Sequence, residues 1–146
     1  MRDDEIERLR TQVKLLQRRL RQEAMPVTGL TLTAFSVLGA IARSPEDAQP
    51  RRLAEQLTMS SPNVSAALRE LTAADLIART KDPDDARKVR VVLTDHGREM
   101  VARSQRERDS WLGRAISALL DGEEQKTLLA AGELMQRLAE YDQPDP

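Results

Sequence analysis

Five side chains suited to reading the edges of stacked bases lie close together in this sequence: Ser61, Asn63, Ser65, Ala66 and Arg69. At helical spacing they fall on the face opposite Val64 and Leu68, near the start of their segment. Asn pairs bidentately with adenine and Arg with guanine. A Ser hydroxyl suits either base or a phosphate, and Ala leaves room for a thymine methyl. Short polar residues are also what a solvated helix start prefers, so residue type alone leaves both readings open. A second group stands farther along the chain. Arg87 and Lys88 close a charged loop, with Arg90 behind them and Arg79 and Lys81 opposite. A projecting hairpin with Arg near its tip can enter a minor groove, whose narrow walls concentrate negative potential. Asp82, Asp84 and Asp85 would repel phosphate unless one of them positions an Arg, and Asp85 can hold Arg87 by an ion-paired hydrogen bond two residues away. A solvated turn with scattered charges has the same composition.

Both groups need elements to hold them. Ala54, Thr58 and Val64 have the spacing of a helix-turn-helix. A small residue at 54 lets two helices approach, and an aliphatic one at 64 locks the second across the first so that its outer face can enter a major groove. Pro50 suits a first helical turn, and Leu53, Ala54 and Leu57 make that helix amphipathic. Ser61 followed by Pro62 reads as a cap and first-turn pair for the second helix, with Val64, Ala67, Leu68 and Leu71 inward. Gly is usual at the turn position that Thr58 occupies. Upstream, a helix capped by Thr31 or Thr33 carries Phe35, Leu38, Ile41 and Ala42 and ends at Ser44-Pro45. Arg51 and Arg52 lie at a helix start, where the dipole disfavours cations, and are either phosphate contacts or solvated. Downstream, 76–79 and the β-branched run 89–93 frame a hairpin. Its loop, 81–88, has no apolar anchor and is expected to project into solvent.

The chain ends carry helical stripes. Ile6, Leu9, Val13, Leu16 and Leu20 alternate three and four apart over 4–22, among Arg and Glu. So narrow a stripe cannot make its own core and must lie on the rest of the chain or on a partner. Met25-Pro26-Val27-Thr28-Gly29 is expected to break this helix. A later helix, capped by Thr94, starts near Asp95 and carries Met100, Val101, Trp111, Leu112, Ile116, Leu119 and Leu120. Asp121-Gly122 interrupts it, and a last helix over about 123–141 presents Leu128, Leu129, Leu134 and Leu138. Pro144 and Pro146 read as a frayed acidic tail.

Composition narrows the chemistry. In 146 residues there is no Cys and one His, which removes disulfides, thiolate metal sites, Cys nucleophiles and thiol redox sensing, and implies no cofactor. Aromatics are 2% of the chain, so the core is aliphatic. No apolar run is long enough to span a bilayer, and the acidic start after Met1 is unlike a secretory leader, so a cytoplasmic protein is expected. A net charge of −1 argues against indiscriminate polyanion binding and makes segregation of the basic residues decisive. The loop carboxylates are read as exposed, where nothing shifts their pKa values apart for acid–base catalysis, so an enzyme is not expected. A winged-helix protein-interaction module without DNA binding is the remaining alternative.

These residues resemble the MarR family of winged helix-turn-helix transcription regulators. Asp82-Pro83-Asp84-Asp85-Ala86-Arg87, followed after a strand by Leu93-Thr94-Asp95-His96-Gly97, is similar to the family's wing signature. Leu53 to Leu57, Met59 to Val64, Leu71 and Leu76 to Arg79 resemble its helix-turn-helix. The resemblance implies a mainly α fold with a small β-hairpin wing, in which a winged helix-turn-helix (30–97) is flanked by N-terminal (1–29) and C-terminal (98–146) dimerisation helices. It further implies a homodimer reading a pseudo-palindromic operator, with the helix from Ser61 in the major groove, Arg87 in the minor groove oriented by Asp85, and Lys88 beside it. Ile6, Leu9, Val13, Leu16, Leu20, Leu128, Leu134 and Leu138 would face the partner. Many members release DNA on binding a small aromatic ligand. For that role this chain offers as rings only Phe35, Trp111 and Tyr141, each more ordinary as a core or surface residue. Two departures stand out: Asp75 where the family usually has Gly, a position Asp tolerates in a left-handed backbone, and Ala86 where an Arg is commoner.

Overall fold

The computed structural model describes residues 1–141, with side chains described at all of these except 25–27; the tail read around Pro144 and Pro146 lies outside the described residues. In chain order the elements are α1 (Asp3–Thr28), α2 (Leu32–Arg43), a single 3-10 turn (Pro45–Asp47), α3 (Pro50–Leu57), α4 (Ser61–Ala73), β1 (Ile77–Lys81), β2 (Val89–Leu93), α5 (Asp95–Leu119) and α6 (Gly122–Ala139).

Helix starts are set by short polar side chains that satisfy otherwise orphaned first-turn amides. Thr31 Oγ1 accepts the Ala34 N–H at 3.2 Å, and Thr94 Oγ1 accepts the Gly97 N–H at 2.9 Å. Asp121 accepts the Glu123 and Glu124 amides while Glu124 reaches back to the Asp121 N–H, a complete capping box. At α4 the cap is Ser60, whose Oγ accepts the Asn63 N–H, rather than the expected Ser61. Pro62 is tolerated at the second helical position as at the first, because neither amide has an intrahelical partner, and the cap therefore sits one residue earlier. Nor does Pro26 break α1. The helix runs on to Thr28, and Gly29, at φ 63°, ends it: a proline in a last turn removes one hydrogen bond, whereas the left-handed residue turns the chain away.

The core is aliphatic. Val37, Leu38 and Ile41 of α2, Leu53 of α3, Val64, Leu68 and Leu71 of α4, Leu76, and Val91 of β2 are fully buried, each contributing roughly 1.5–3 kcal/mol in transfer terms. They interlock α2, α3 and α4 beneath the hairpin. β1 and β2 pair antiparallel from Ile77↔Leu93 to Lys81↔Val89. β1 thus starts one residue later and runs two farther than expected, because Leu76 belongs to the core turn. The Ala48 carbonyl accepts the Val91 N–H at 2.8 Å, tying β2 to the segment that precedes α3.

By contacts the chain divides into two compact units, 1–109 and 110–146. The first holds α1 to β2 and the start of α5; the second holds the end of α5 and α6. In each, apolar side chains stand exposed: Ile6, Leu9, Leu15 and Leu16 on α1, and Leu128, Leu129, Leu134, Met135 and Leu138 on α6. Val13 and Leu20 are half-buried.

Candidate nucleic-acid interface

α3 and α4 meet across Thr58, whose left-handed backbone (φ 51°) makes the turn without glycine. Its N–H reaches back to the Glu55 carbonyl at 3.2 Å, and the Met59 N–H to that of Ala54 at 3.0 Å. Ala54 and Val64 are both buried, as the helix-turn-helix spacing requires. Of the expected reading residues on α4, Ser61, Asn63, Ala66 and Arg69 are exposed on one side, while Ser65 is half-buried. Asn63 spends its backbone amide on the Ser60 cap and leaves its side-chain amide to solvent. At the start of α3, Arg51 pairs with Glu55 at 3.5 Å and Arg52 with Asp47 at 3.1 Å, so both cations are compensated within the chain.

The wing is organised by a residue that the sequence places in solvent. Asp82 is 9% exposed. Its Oδ1 accepts the Asp84 N–H at 2.8 Å and the Asp85 N–H at 3.3 Å; its Oδ2 accepts Gln49 Nε2 at 3.3 Å and lies 3.7 Å from the Arg90 guanidinium. The Asp84 amide, then the Asp85 amide and the Arg90 and Lys88 charges, outweigh the opposing effect of burial and hold this carboxyl below its ordinary value of 3.8. Arg90 is half-buried, and its Nε is buried with no hydrogen-bond partner among the described residues.

Asp85 does reach Arg87, at the backbone. Its Oδ1 accepts the Arg87 N–H at 3.0 Å, and the expected ion pair with the guanidinium does not form. A short carboxylate two residues before an amide closes an Asx turn more readily than it bends back to a long side chain. The Lys88 N–H donates to the Asp85 carbonyl and the Lys88 carbonyl accepts the Asp82 N–H, both at 3.0 Å, closing the loop. Arg87 and Lys88 are left exposed at its end, on a turn folded by Asp82 and Asp85 together.

Sequence reasoning missed Asp82, Gln49 and Glu70. Asp82 had a signal, since an Asp followed by Pro and then by free amides is an Asx-turn pattern. Glu70 had none: its carboxylate grips Thr31, 39 residues away. The rings divide, with Phe35 in the core, Trp111 half-buried and Tyr141 exposed, and His96 stands exposed at the start of α5. An open depression of about 580 Å³ lies among the end of α2, β2 and the first half of α5, lined by Ile41, Val92, Leu93, Arg98, Val101 and Gln105 among others. Its one cation, Arg98, is engaged by the Leu93 carbonyl at 2.9 Å and by Asp95.

A two-helix reading module with a β-hairpin beside it defines a winged helix-turn-helix of the DNA-binding type. The MarR family model matches residues 28–88, and the chain belongs to the MarR family of transcriptional regulators. It is 38% identical to a Pseudomonas aeruginosa protein of known crystal structure described as a transcriptional regulator, with 96% of each chain covered and a TM-score of 0.82. An uncharacterised HTH-type transcriptional regulator of Mycobacterium bovis is 28% identical over 127 residues, 85% of this chain and 83% of its own length. A similar regulator of Bacillus subtilis is 26% identical over 102 residues, 70% of this chain, and the match spans 61% of its length. The fold also matches Staphylococcus aureus MepR in its DNA complex, at 21% identity and a TM-score of 0.67 over 90% of this chain and 98% of that one. Among the described residues no helix is long and apolar enough to cross a membrane.

Proposed function

We propose that the protein is a homodimeric repressor acting in the cytoplasm, which binds a pseudo-palindromic operator with one winged module per half-site. In this reading Ser61, Asn63, Ser65, Ala66 and Arg69 meet the major groove; Ser65, half-buried, is the least available. Arg87 enters the minor groove, with Lys88 beside it on phosphate and Asp85 fixing the backbone from which Arg87 projects. The segments 1–29 and 98–146 supply the dimer, through Ile6, Leu9, Val13, Leu16 and Leu20 of α1 and Leu128, Leu134 and Leu138 of α6. The observation that carries the reading is the wing itself: five polar contacts of Asp82 and Asp85 shape a loop that leaves the cations Arg87 and Lys88 exposed at its end. MepR, of the same fold, is known in complex with DNA, which supports the assignment by likeness. In this reading a small aromatic effector, as the family resemblance implies, enters the depression lined by Ile41, Leu93 and Val101.

Hydroxyl-radical footprinting on DNA flanking the protein's own gene tests the proposal. The expected pattern is two protected half-sites related by a two-fold axis, their centres a whole number of turns of about 10 base pairs apart. Protection without symmetry, or no protected site in any flanking fragment, counts against it.

A further inference from the structure

Glu70 sits on α4 one helical turn beyond Ala66, and both oxygens of its carboxylate are engaged within the chain. Oε1 accepts the Thr31 N–H at 2.8 Å and Oε2 accepts the Thr31 O–H at 2.7 Å. Thr31 is the N-cap of α2, so the carboxylate also faces the positive end of that helix, where the dipole favours it. Immediately before Thr31 the chain turns out of α1 through Gly29, at φ 63°, and is pinned by Leu30, 7% exposed, whose N–H donates to Thr28 Oγ1 at 3.3 Å. Both oxygens of one side chain on α4 are thus committed to the junction through which α1 joins the rest of the chain.

The other end of the module has its own tie. Thr94 Oγ1 donates to the Asp75 carbonyl at 2.6 Å while capping α5, and Gly97 packs on the Leu76 backbone. These polar contacts add to apolar packing in which Ala24 of α1, Leu30, α2 and α4 share one core. Losing the Glu70 contact leaves that packing in place and loosens the junction with α1 rather than detaching it.

We infer that Glu70 is a positioning residue, which fixes the angle of α4 relative to α1 and thereby the half-site spacing that the dimer accepts. The inference rests on the dimeric DNA-binding reading above for its consequence, but not for its geometry. Dimer symmetry makes half-site spacing a geometric property of the protein. A module loosened at the α1 junction would therefore accept spacings that a tightly held one rejects.

Two measurements test this, one of them free of DNA. The chain has no Cys, so spin labels placed at Gln17→Cys on α1 and Thr72→Cys on α4 can be unique. In chains diluted with unlabelled protein, pulsed dipolar spectroscopy then reads the α1–α4 distance. Glu70→Ala is expected to broaden that distribution, and Glu70→Gln, whose amide can still accept the Thr31 N–H, to restore most of its sharpness. In unlabelled protein, the preference for the natural operator spacing over one base pair more or less should fall about tenfold in Glu70→Ala, the equivalent of one or two lost hydrogen bonds, with base preference inside each half-site kept. If Glu70→Ala folds poorly, Glu70→Asp, one methylene shorter, weakens the contact with Thr31 while leaving the Thr31 cap of α2 in place. An unchanged distance distribution, or a loss of affinity uniform across spacings, overturns the inference and leaves Glu70 a purely stabilising group. Absence of operator binding by the wild-type protein would instead overturn the function proposed above, while the distance measurement still decides the role of Glu70.

Discussion

The Gly97 backbone lies against the Leu76 carbonyl so closely that a Cβ on Gly97 would overlap that oxygen and come within 2.9 Å of its carbon. The contact joins the start of α5 to the turn between α4 and β1, where the Thr94 N–H also donates to the Leu76 carbonyl at 3.1 Å. Backbone against backbone has no soft side to yield. Gly97→Ala is therefore expected to destabilise the fold by about 3 kcal/mol, the upper part of the overpacking range, as read by chemical denaturation. A loss below roughly 0.5 kcal/mol would mean that the α5 start shifts freely.

Asp82 ties wing stability to acid. Its carboxyl is held below 3.8, so the charged form is the one the folded wing favours. That contribution is fully present above pH 3.8 and is lost as the pH falls through the lower value of the folded state. Hydrogen exchange at the Asp84 and Asp85 amides should accelerate, beyond the intrinsic pH trend, as the pH drops below 3.8. In Asp82→Asn the same amides should be less protected at neutral pH and lack that acid transition. Equal protection in both proteins would remove Asp82 from the role of wing organiser.

Thr58 bears a left-handed backbone that costs an L-residue roughly 1–2 kcal/mol, more at a β-branched position than at Asp75, whose φ of 57° Asp tolerates. Thr58→Gly removes that strain but adds roughly 0.5–1 kcal/mol of unfolded-chain entropy. The expected result is a net gain of about 0.5–1 kcal/mol in urea unfolding, and a smaller one for Asp75→Gly. Destabilisation by Thr58→Gly would show that the side chain makes up the strain elsewhere.

The exposed leucines of α1 call for a covering surface. Ile6, Leu9 and Leu16 are each more than a third exposed in the single chain. Leu16→Glu is expected to give monomer or insoluble protein in sedimentation at micromolar concentration, where the wild type is expected to sediment as a dimer. A variant dimer as tight as the wild type would take α1 out of the interface.

Much of this was legible beforehand, and what was not has a common cause. Apolar periodicity located α2 to α6, and β2 falls on Val89–Leu93 as its β-branched run requires. Thr94, and Thr31 beside Thr33, are legible as helix-start signals because a cap and its amides are neighbours in sequence, whereas Asp121 reads only as a break between helices and proves to be the cap of α6. Where two rules competed within one turn, the boundary slipped: Ser60 caps α4 in place of Ser61, and Gly29 rather than Pro26 ends α1. Polar contacts across the fold left no trace in periodicity. Asp82 with Gln49 is 33 residues apart and Glu70 with Thr31 is 39, and charge in a loop reads as solvated until its partners are in place.

The most direct test of the regulator is fluorescence anisotropy with DNA flanking its own gene, taken across a salt series for wild type and Arg87→Ala. The account predicts a tight site whose log affinity falls with log salt at a slope implying ~6 to 10 phosphate contacts. In the variant, affinity should be about tenfold weaker and the slope smaller by roughly one. Weak binding that is indifferent to sequence and unchanged in Arg87→Ala would contradict it, leaving the winged fold as a module for a partner other than DNA.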